Sequence, residues 1–159
     1  MKFVVCKLMV TAVSLVLIGC NHDKETLPVD ADQPQCTETS GESNDMSVTG
    51  TIDFDTSIVM EDIAWIQVEL IDYSIADAGA ITISSVCIYT ASKIPVSYSV
   101  GYESENIVEN NLYSITAEVY KVSENEDEPN FLSHRTMQSY PVLTNGFGSN
   151  ANILVKDVN

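Results

Sequence analysis

The chain has 159 residues and carries 23 acidic against 7 basic side chains, a formal charge of −16. A length of this order supports one hydrophobic core and not two full domains. The charge excludes a surface built to neutralise nucleic-acid phosphates, or one that lies on anionic lipid through basic residues.

Lys2 and Lys7 flank the start of an apolar run from Leu8 to Ile18, and small Gly19 stands directly before Cys20. Charge, short apolar core and small residue in that order are the layout of a secretory signal. The run is shorter than the roughly 20 residues that span a bilayer as a helix. Leu17-Ile18-Gly19-Cys20 resembles the lipobox of bacterial lipoproteins, which implies cleavage before Cys20 and lipid on its sulfur. Two or three acyl chains of the palmitate kind anchor a protein firmly where one does so only marginally. Asn21 stands where an Asp would imply retention at the inner membrane, so the resemblance implies an outer-membrane anchor with the rest of the chain facing the periplasm. Removal of residues 1–19 leaves five basic residues against 23 acidic ones, a formal charge of −18.

Residues 20–46 hold the anchor cysteine and an acidic spacer with seven carboxylates, two prolines and few large apolar side chains. Such a composition buries too little apolar surface to offset the entropy of ordering it. The folded domain is expected over 47–159. Val48, Ile52 and Phe54 alternate with polar residues, the period-two signature of a strand with one buried face. In IAWIQVELIDYS, Ala64, Ile66, Val68 and Leu70 share one face while Trp65, Gln67 and Glu69 share the other. Further runs follow at 81–89, 96–102, 112–121, 131–136 and 150–158, with Tyr98, Tyr102 and Tyr113 on inward faces. Ser104 to Asn111 has room for one helical turn, and no longer helical period occurs. About seven short strands with turn signals between them predict an all-β fold, a compact antiparallel β-sandwich without substantial helix.

At this point the chain resembles the YscW/YbaY family of small bacterial lipoproteins. The matching stretches are VTGTIDF (48–54), VELIDYSIADA (68–78), KIPVSYSVGY (93–102), LYSITAEV (112–119) and YPVLTNG (140–146). The resemblance implies a lipid-held β-domain and no enzyme. Some members are pilotins, lipoprotein chaperones of the secretin ring, so it also implies an envelope protein partner of the secretin kind, for which a basic or amphipathic segment suits this acidic chain.

Candidate chemistry is sparse. Beyond Cys6 and Cys20, Cys36 and Cys87 permit one disulfide in an oxidising compartment; the alternatives are a free or intermolecular Cys36, or two separate thiols. No C-x-x-C, H-x-H or H-E-x-x-H pattern occurs, so neither thiol redox chemistry nor a metal site is expected, and no cofactor is implied. His134 reads as a surface or edge-strand residue. Asp72 and Asp77 have the residue types of a carboxylate pair, but a glycosidase spans a sugar with its two carboxyls. Asp72 and Ser74 read more simply as turn-backbone partners. The acidic run SENEDEPN (123–130) lacks the ligand spacing of an EF-hand. Trp65 is either an exposed recognition aromatic or is covered by a second sheet or a loop. Pro141 places its strand at an edge or starts it there, and Thr144-Asn145-Gly146 reads as a turn. A noncatalytic chaperone or adaptor lipoprotein follows; the alternatives are a structural envelope lipoprotein without a client and a saccharide-acting enzyme using acidic residues.

Overall fold

The structure, a computed structural model, describes residues 34–39, 45–125 and 128–158. Cys20 and its lipobox, the signal, His22 and most of the spacer lie outside the described residues. The described residues all fall within the unit Ala31–Asn159.

Eight strands form: β1 (Met46–Phe54), β2 (Ile63–Asp72), β3 (Ile81–Ile88), β4 (Val96–Tyr102), β5 (Tyr113–Lys121), β6 (Phe131–Thr136), β7 (Pro141–Val142) and β8 (Ile153–Asp157). Two single-turn 3-10 segments, Met60–Asp62 and Ser104–Asn106, are the helical content among the described residues. Each main strand turns its apolar set to one side. Val48 and Ile52, Ile66, Val68 and Leu70, Val96 to Tyr102 at alternate positions, and Tyr113 to Val119 at alternate positions pack into one core. Full burial of a Val, Leu or Ile side chain contributes about 1.5–3 kcal/mol, which explains why the alternation predicts the strands so closely.

The arrangement of these strands corrects the expected sandwich. They form a single sheet in the order β3-β2-β5-β6-β8-β1-β4, with β7 beside β5, that curls into a nearly closed barrel. The decisive strand is β8, which pairs antiparallel with β6 and parallel with β1. It joins by hydrogen bonds what would otherwise be two stacked sheets, and its pairing with β1 departs from an all-antiparallel design. The seam lies between β3 and β4. There the Ser84 hydroxyl comes within hydrogen-bond reach of the Gly101 carbonyl across the gap and of the Thr39 carbonyl at 2.9 Å.

Of three register shifts among the described strands, one sets β2 against β3 between Leu70 and Ile71, and the other two alter the faces. Between Ile63 and Trp65 the register of β2 against β5 shifts, and Trp65 stacks on its cross-strand partner Tyr120, ring centroids 4.8 Å apart and planes 19° apart. Only 6% of Trp65 is exposed, so the reading of Trp65 as part of an interaction surface is corrected: the ring is spent on that stack. Its indole N–H is buried without a hydrogen-bond partner. A buried unpaired donor carries a penalty of about 1–3 kcal/mol, so Trp65→Phe, which keeps a ring on Tyr120 and deletes the donor, is expected to change stability by less than about 1 kcal/mol. The urea midpoint checks this; a loss above about 2 kcal/mol would mean that the N–H has an acceptor after all.

The second bulge lies between Val119 and Tyr120 opposite β6. It puts both Ser133 and His134 inside, and corrects the surface reading of His134: β6 lies between β5 and β8, and His134 is 2% exposed. The imidazole meets Phe54 edge-on at 5.5 Å, with Nε2 3.1 Å from Thr56 Oγ1 and Nδ1 3.1 Å from Ser133 Oγ. Burial pushes its pKa below 6.5; nearby Asp157 and Asp55 oppose the shift and Lys121 adds to it. Because the folded-state value is the lower one, the stability this group contributes is complete above about 6.5 and is lost as pH falls through that value toward the folded one. The urea midpoint is therefore expected to be lower at pH 5.5 than at pH 7.5, roughly the span over which an unperturbed imidazole titrates, with a smaller difference in His134→Gln. An equal difference in that variant would assign the effect to other groups.

Candidate partner-binding face

The outer wall made by β3, β2, β5 and β6 presents the side chains that the alternation turns away from the core. The register sets them in rows. Gln67 lies between Cys87 and Glu118, with Arg135 opposite Glu118; Glu69 lies between Ser85 and Thr116; Ile71 lies between Thr82 and Ser114. Gln67 donates to Glu69 Oε1 at 2.9 Å, and the Tyr120 hydroxyl donates to Glu118 Oε2 at 3.0 Å. Burial, then the Glu118 charge and its hydrogen bond, and then Glu69 push the Tyr120 hydroxyl up to about 12, so it stays a donor.

A groove crosses this wall because β5 has two partners along one edge. Its C-terminal half pairs with β6, its N-terminal half with β7, and residues 137–139 leave the sheet between them. The β5 amides in the gap still find acceptors: Ile115 donates to the Tyr140 carbonyl at 3.1 Å and Ala117 to Thr136 Oγ1 at 3.3 Å. Two hollows result, of about 300 Å³ beside Tyr73 and Met137 and about 250 Å³ beside Glu69, Glu118 and Arg135. They share Ile71, Thr116 and Thr136 and so lie side by side. Met137, 49% exposed, rims the apolar end. The groove thus offers apolar contact at one end and charge at the other, a polypeptide-binding chemistry.

The other candidates have structural roles. Asp72 accepts from the Ser74 amide at 2.8 Å, from the Ser74 hydroxyl, and from the Asn111 side chain at 2.7 Å; Ser74 in turn accepts from the Leu112 amide. Burial works to raise the Asp72 pKa, but these bonds outweigh it and hold the carboxyl below the ordinary range. Asp72 is the tie between the β2–β3 and β4–β5 loops. Asp77 lies in the β2–β3 loop with φ 65°. Asn145 and Gly146 follow each other with φ of 56° and 87°, closing the turn expected there. A hollow of about 710 Å³ beside Glu61, Asp62, Glu124 and Glu128 adjoins the acidic loop. Among the described residues no three His, Cys, Asp or Glu side chains form a group able to hold a metal.

Cys36 and Cys87 are joined, with an S–S distance of 2.04 Å. Residues 36–39 of the acidic stretch are therefore held on β3. The groove itself was not signalled by any motif; the only trace of it in the sequence is the break of alternation between Thr136 and Pro141.

Comparison with known proteins agrees with this architecture. A solved alternative pilotin from the type II secretion system of Vibrio cholerae is 26% identical over 72% of this chain and 97% of its own, with a TM-score of 0.61. A comparison with curated proteins finds no match. Residues 43–155, from just before β1 to the middle of β8, match the type III secretion system lipoprotein chaperone family, YscW. With strands, turns and seam accounted for over that same span, the chain belongs to the YscW family of lipoprotein chaperones.

Proposed function

We propose that this protein is a noncatalytic, lipid-anchored chaperone of a secretin, held at the outer membrane through Cys20 with the barrel in the periplasm, and that the groove across the β2/β5 wall receives a segment of that partner. The observation that carries the reading is the pair of adjoining hollows on a domain that belongs to a lipoprotein chaperone family. Met137 and Ile71 suit the apolar side of an amphipathic segment, and Glu69 and Glu118 suit basic residues on it. The lipobox supplies the anchor, and the acidic residues of the domain require no catalytic role.

The test is recovery of the secretin with the lipidated chain from gently solubilised native envelopes, beside Cys20→Ala and Met137→Asp. The anchor variant is expected to leave the membrane fraction. Met137→Asp is expected to remain folded and anchored while its retention of the secretin drops at least about tenfold, the usual consequence of placing a charge in an apolar contact. A folded, anchored wild-type chain that retains no secretin would leave a structural envelope lipoprotein as the better account. Full retention by Met137→Asp would move the contact off the groove.

A further inference from the structure

β3 ends the sheet, and its outer edge faces the seam instead of another strand. In an antiparallel ladder successive residues turn their amides to opposite sides. Those of Val86 and Ile88 face β2, and those of Ser85 and Cys87 face the open edge. On that edge lie residues 37–39. The Ser85 amide donates to the Thr39 carbonyl at 2.9 Å and the Cys87 amide to Glu38 Oε1 at 3.2 Å. The Thr39 amide donates to Ser85 Oγ at 2.8 Å, and Ser85 Oγ donates to the Thr37 carbonyl at 2.7 Å. Thr39 and Ser85 form a bridge, so the segment is a fragment of a strand laid against the edge, and Cys36–Cys87 bolts one end of it down.

Magnitudes say what keeps it there. A hydrogen bond of this kind contributes about as much as the backbone entropy lost on ordering one residue, and side chains such as Glu38 add to that loss. The few bonds of a three-residue segment roughly cancel its ordering cost. The disulfide therefore decides the occupancy. A longer extended segment from another chain would offer a regular run of backbone acceptors to the same amides, the mode of recognition called strand addition.

We propose that the outer edge of β3 is a strand-acceptor site for an extended peptide, kept occupied in cis by residues 37–39 and opened when the Cys36–Cys87 bond is reduced. The opening reaction is dithiol–disulfide exchange: a protein dithiol supplies two electrons and two protons, Cys36 and Cys87 become thiols, and the donor becomes a disulfide. Recognition is through main-chain carbonyls at Ser85 and through a carboxylate or carbonyl at the Cys87 amide. The site is separate from the groove on the outer wall and does not depend on the secretin reading.

Amide hydrogen exchange on the full-length chain in detergent tests the opening. In Cys36→Ser, the Ser85 and Cys87 amides are expected to exchange at least about tenfold faster than in the oxidised wild type, while Val86 and Ile88, bonded to β2, keep their protection and report that the barrel is folded. Unchanged protection at Ser85 in that folded variant would overturn the latch. For the case in which the variant does not fold, the wild type reduced with dithiothreitol loses the bond without a substitution and is expected to deprotect Ser85 in the same way; if Ser85 stays protected in that reduced, folded chain, the latch is overturned.

The acceptor half is tested with a synthetic peptide of residues 34–40 in glutathione buffer. It is expected to form a disulfide with Cys87 of the Cys36→Ser chain at least about tenfold more than a scrambled peptide with its cysteine at the same position, because docking raises the effective concentration of the thiol. It is also expected to restore protection at Ser85. Equal capture of the two peptides would overturn the acceptor site.

Discussion

Replacing Gly50 with alanine is expected to cost at least about 3 kcal/mol. A Cβ built at position 50 would lie 1.7 Å from the Ala151 carbonyl oxygen, 2.7 Å from its carbon and 2.9 Å from the Tyr98 hydroxyl. The obstacle is backbone, and that backbone is fixed on both sides. Thr49 donates to the Ser149 carbonyl and Ala151 donates to the Thr49 carbonyl, each at 3.0 Å, while the Tyr98 hydroxyl donates to the same Ala151 carbonyl at 2.7 Å. Thr51 adds two bonds to Asn152 Oδ1. Making room means breaking the crossing at which the chain enters β8, the strand that joins the two halves of the sheet. The glycine of the VTGT stretch is thus required by a close approach of two main chains. Gly79→Ala is the control, since nothing lies within 4 Å of its added Cβ. Urea unfolding of both variants checks the expectation: a loss below about 1 kcal/mol in Gly50→Ala, within the range of ordinary surface changes, would mean that the crossing yields easily.

Loss of the Cys36–Cys87 bridge is expected to cost about 4 kcal/mol. The two cysteines are 51 residues apart, and the loop they close contains β1 and β2 with most of β3. Closing a loop of that length in the unfolded chain removes entropy equivalent to about 4 kcal/mol at room temperature, in the chain-entropy account. In the folded chain the bonds of residues 37–39 to β3 go with it, but their net worth is small against the ordering of that segment. The denatured state is therefore the larger source of the effect. Against a typical total of about 5–15 kcal/mol, this is a large fraction. The check is the urea midpoint of the oxidised wild type, the reduced wild type and Cys36→Ser/Cys87→Ser. The two bridge-free forms are expected to agree with each other and to fall well below the first. A difference below about 1 kcal/mol would mean that the unfolded chain is already restrained near those residues.

The bulges beside Trp65 and His134 mark places where sequence reading and structure part. Strict alternation assigns Trp65 to an outer face, the sequence reads His134 as a surface or edge-strand residue, and a bulge changes the phase by one residue beside each of them. A bulge is a relation between two strands, so the composition of either alone does not reveal it. The Trp65–Tyr120 stack and the burial of His134 follow from pairings between residues far apart in the chain. The groove has the same origin, since it exists because β6 and β7 divide one edge of β5 between them.

The order of side chains alone marks this as a β-protein. It located seven of the eight strands to within a few residues, placed Tyr98, Tyr102 and Tyr113 in the core, predicted the turn at Asn145-Gly146, and carried the family resemblance. These are properties of period-two burial and of local backbone preference, which act over a few residues and are written in the order of side chains. Pairings between distant strands, beyond the reach of such local signals, make the sheet curl into a barrel, let β8 join its halves, limit the strand at Pro141 to two residues beside β5, and lay residues 37–39 on the open edge of β3. A sandwich and a barrel bury the same faces of the same strands, so hydrophobic burial does not separate them; the choice rests on which distant edges hydrogen-bond to one another, and on one glycine whose missing side chain lets two of them meet.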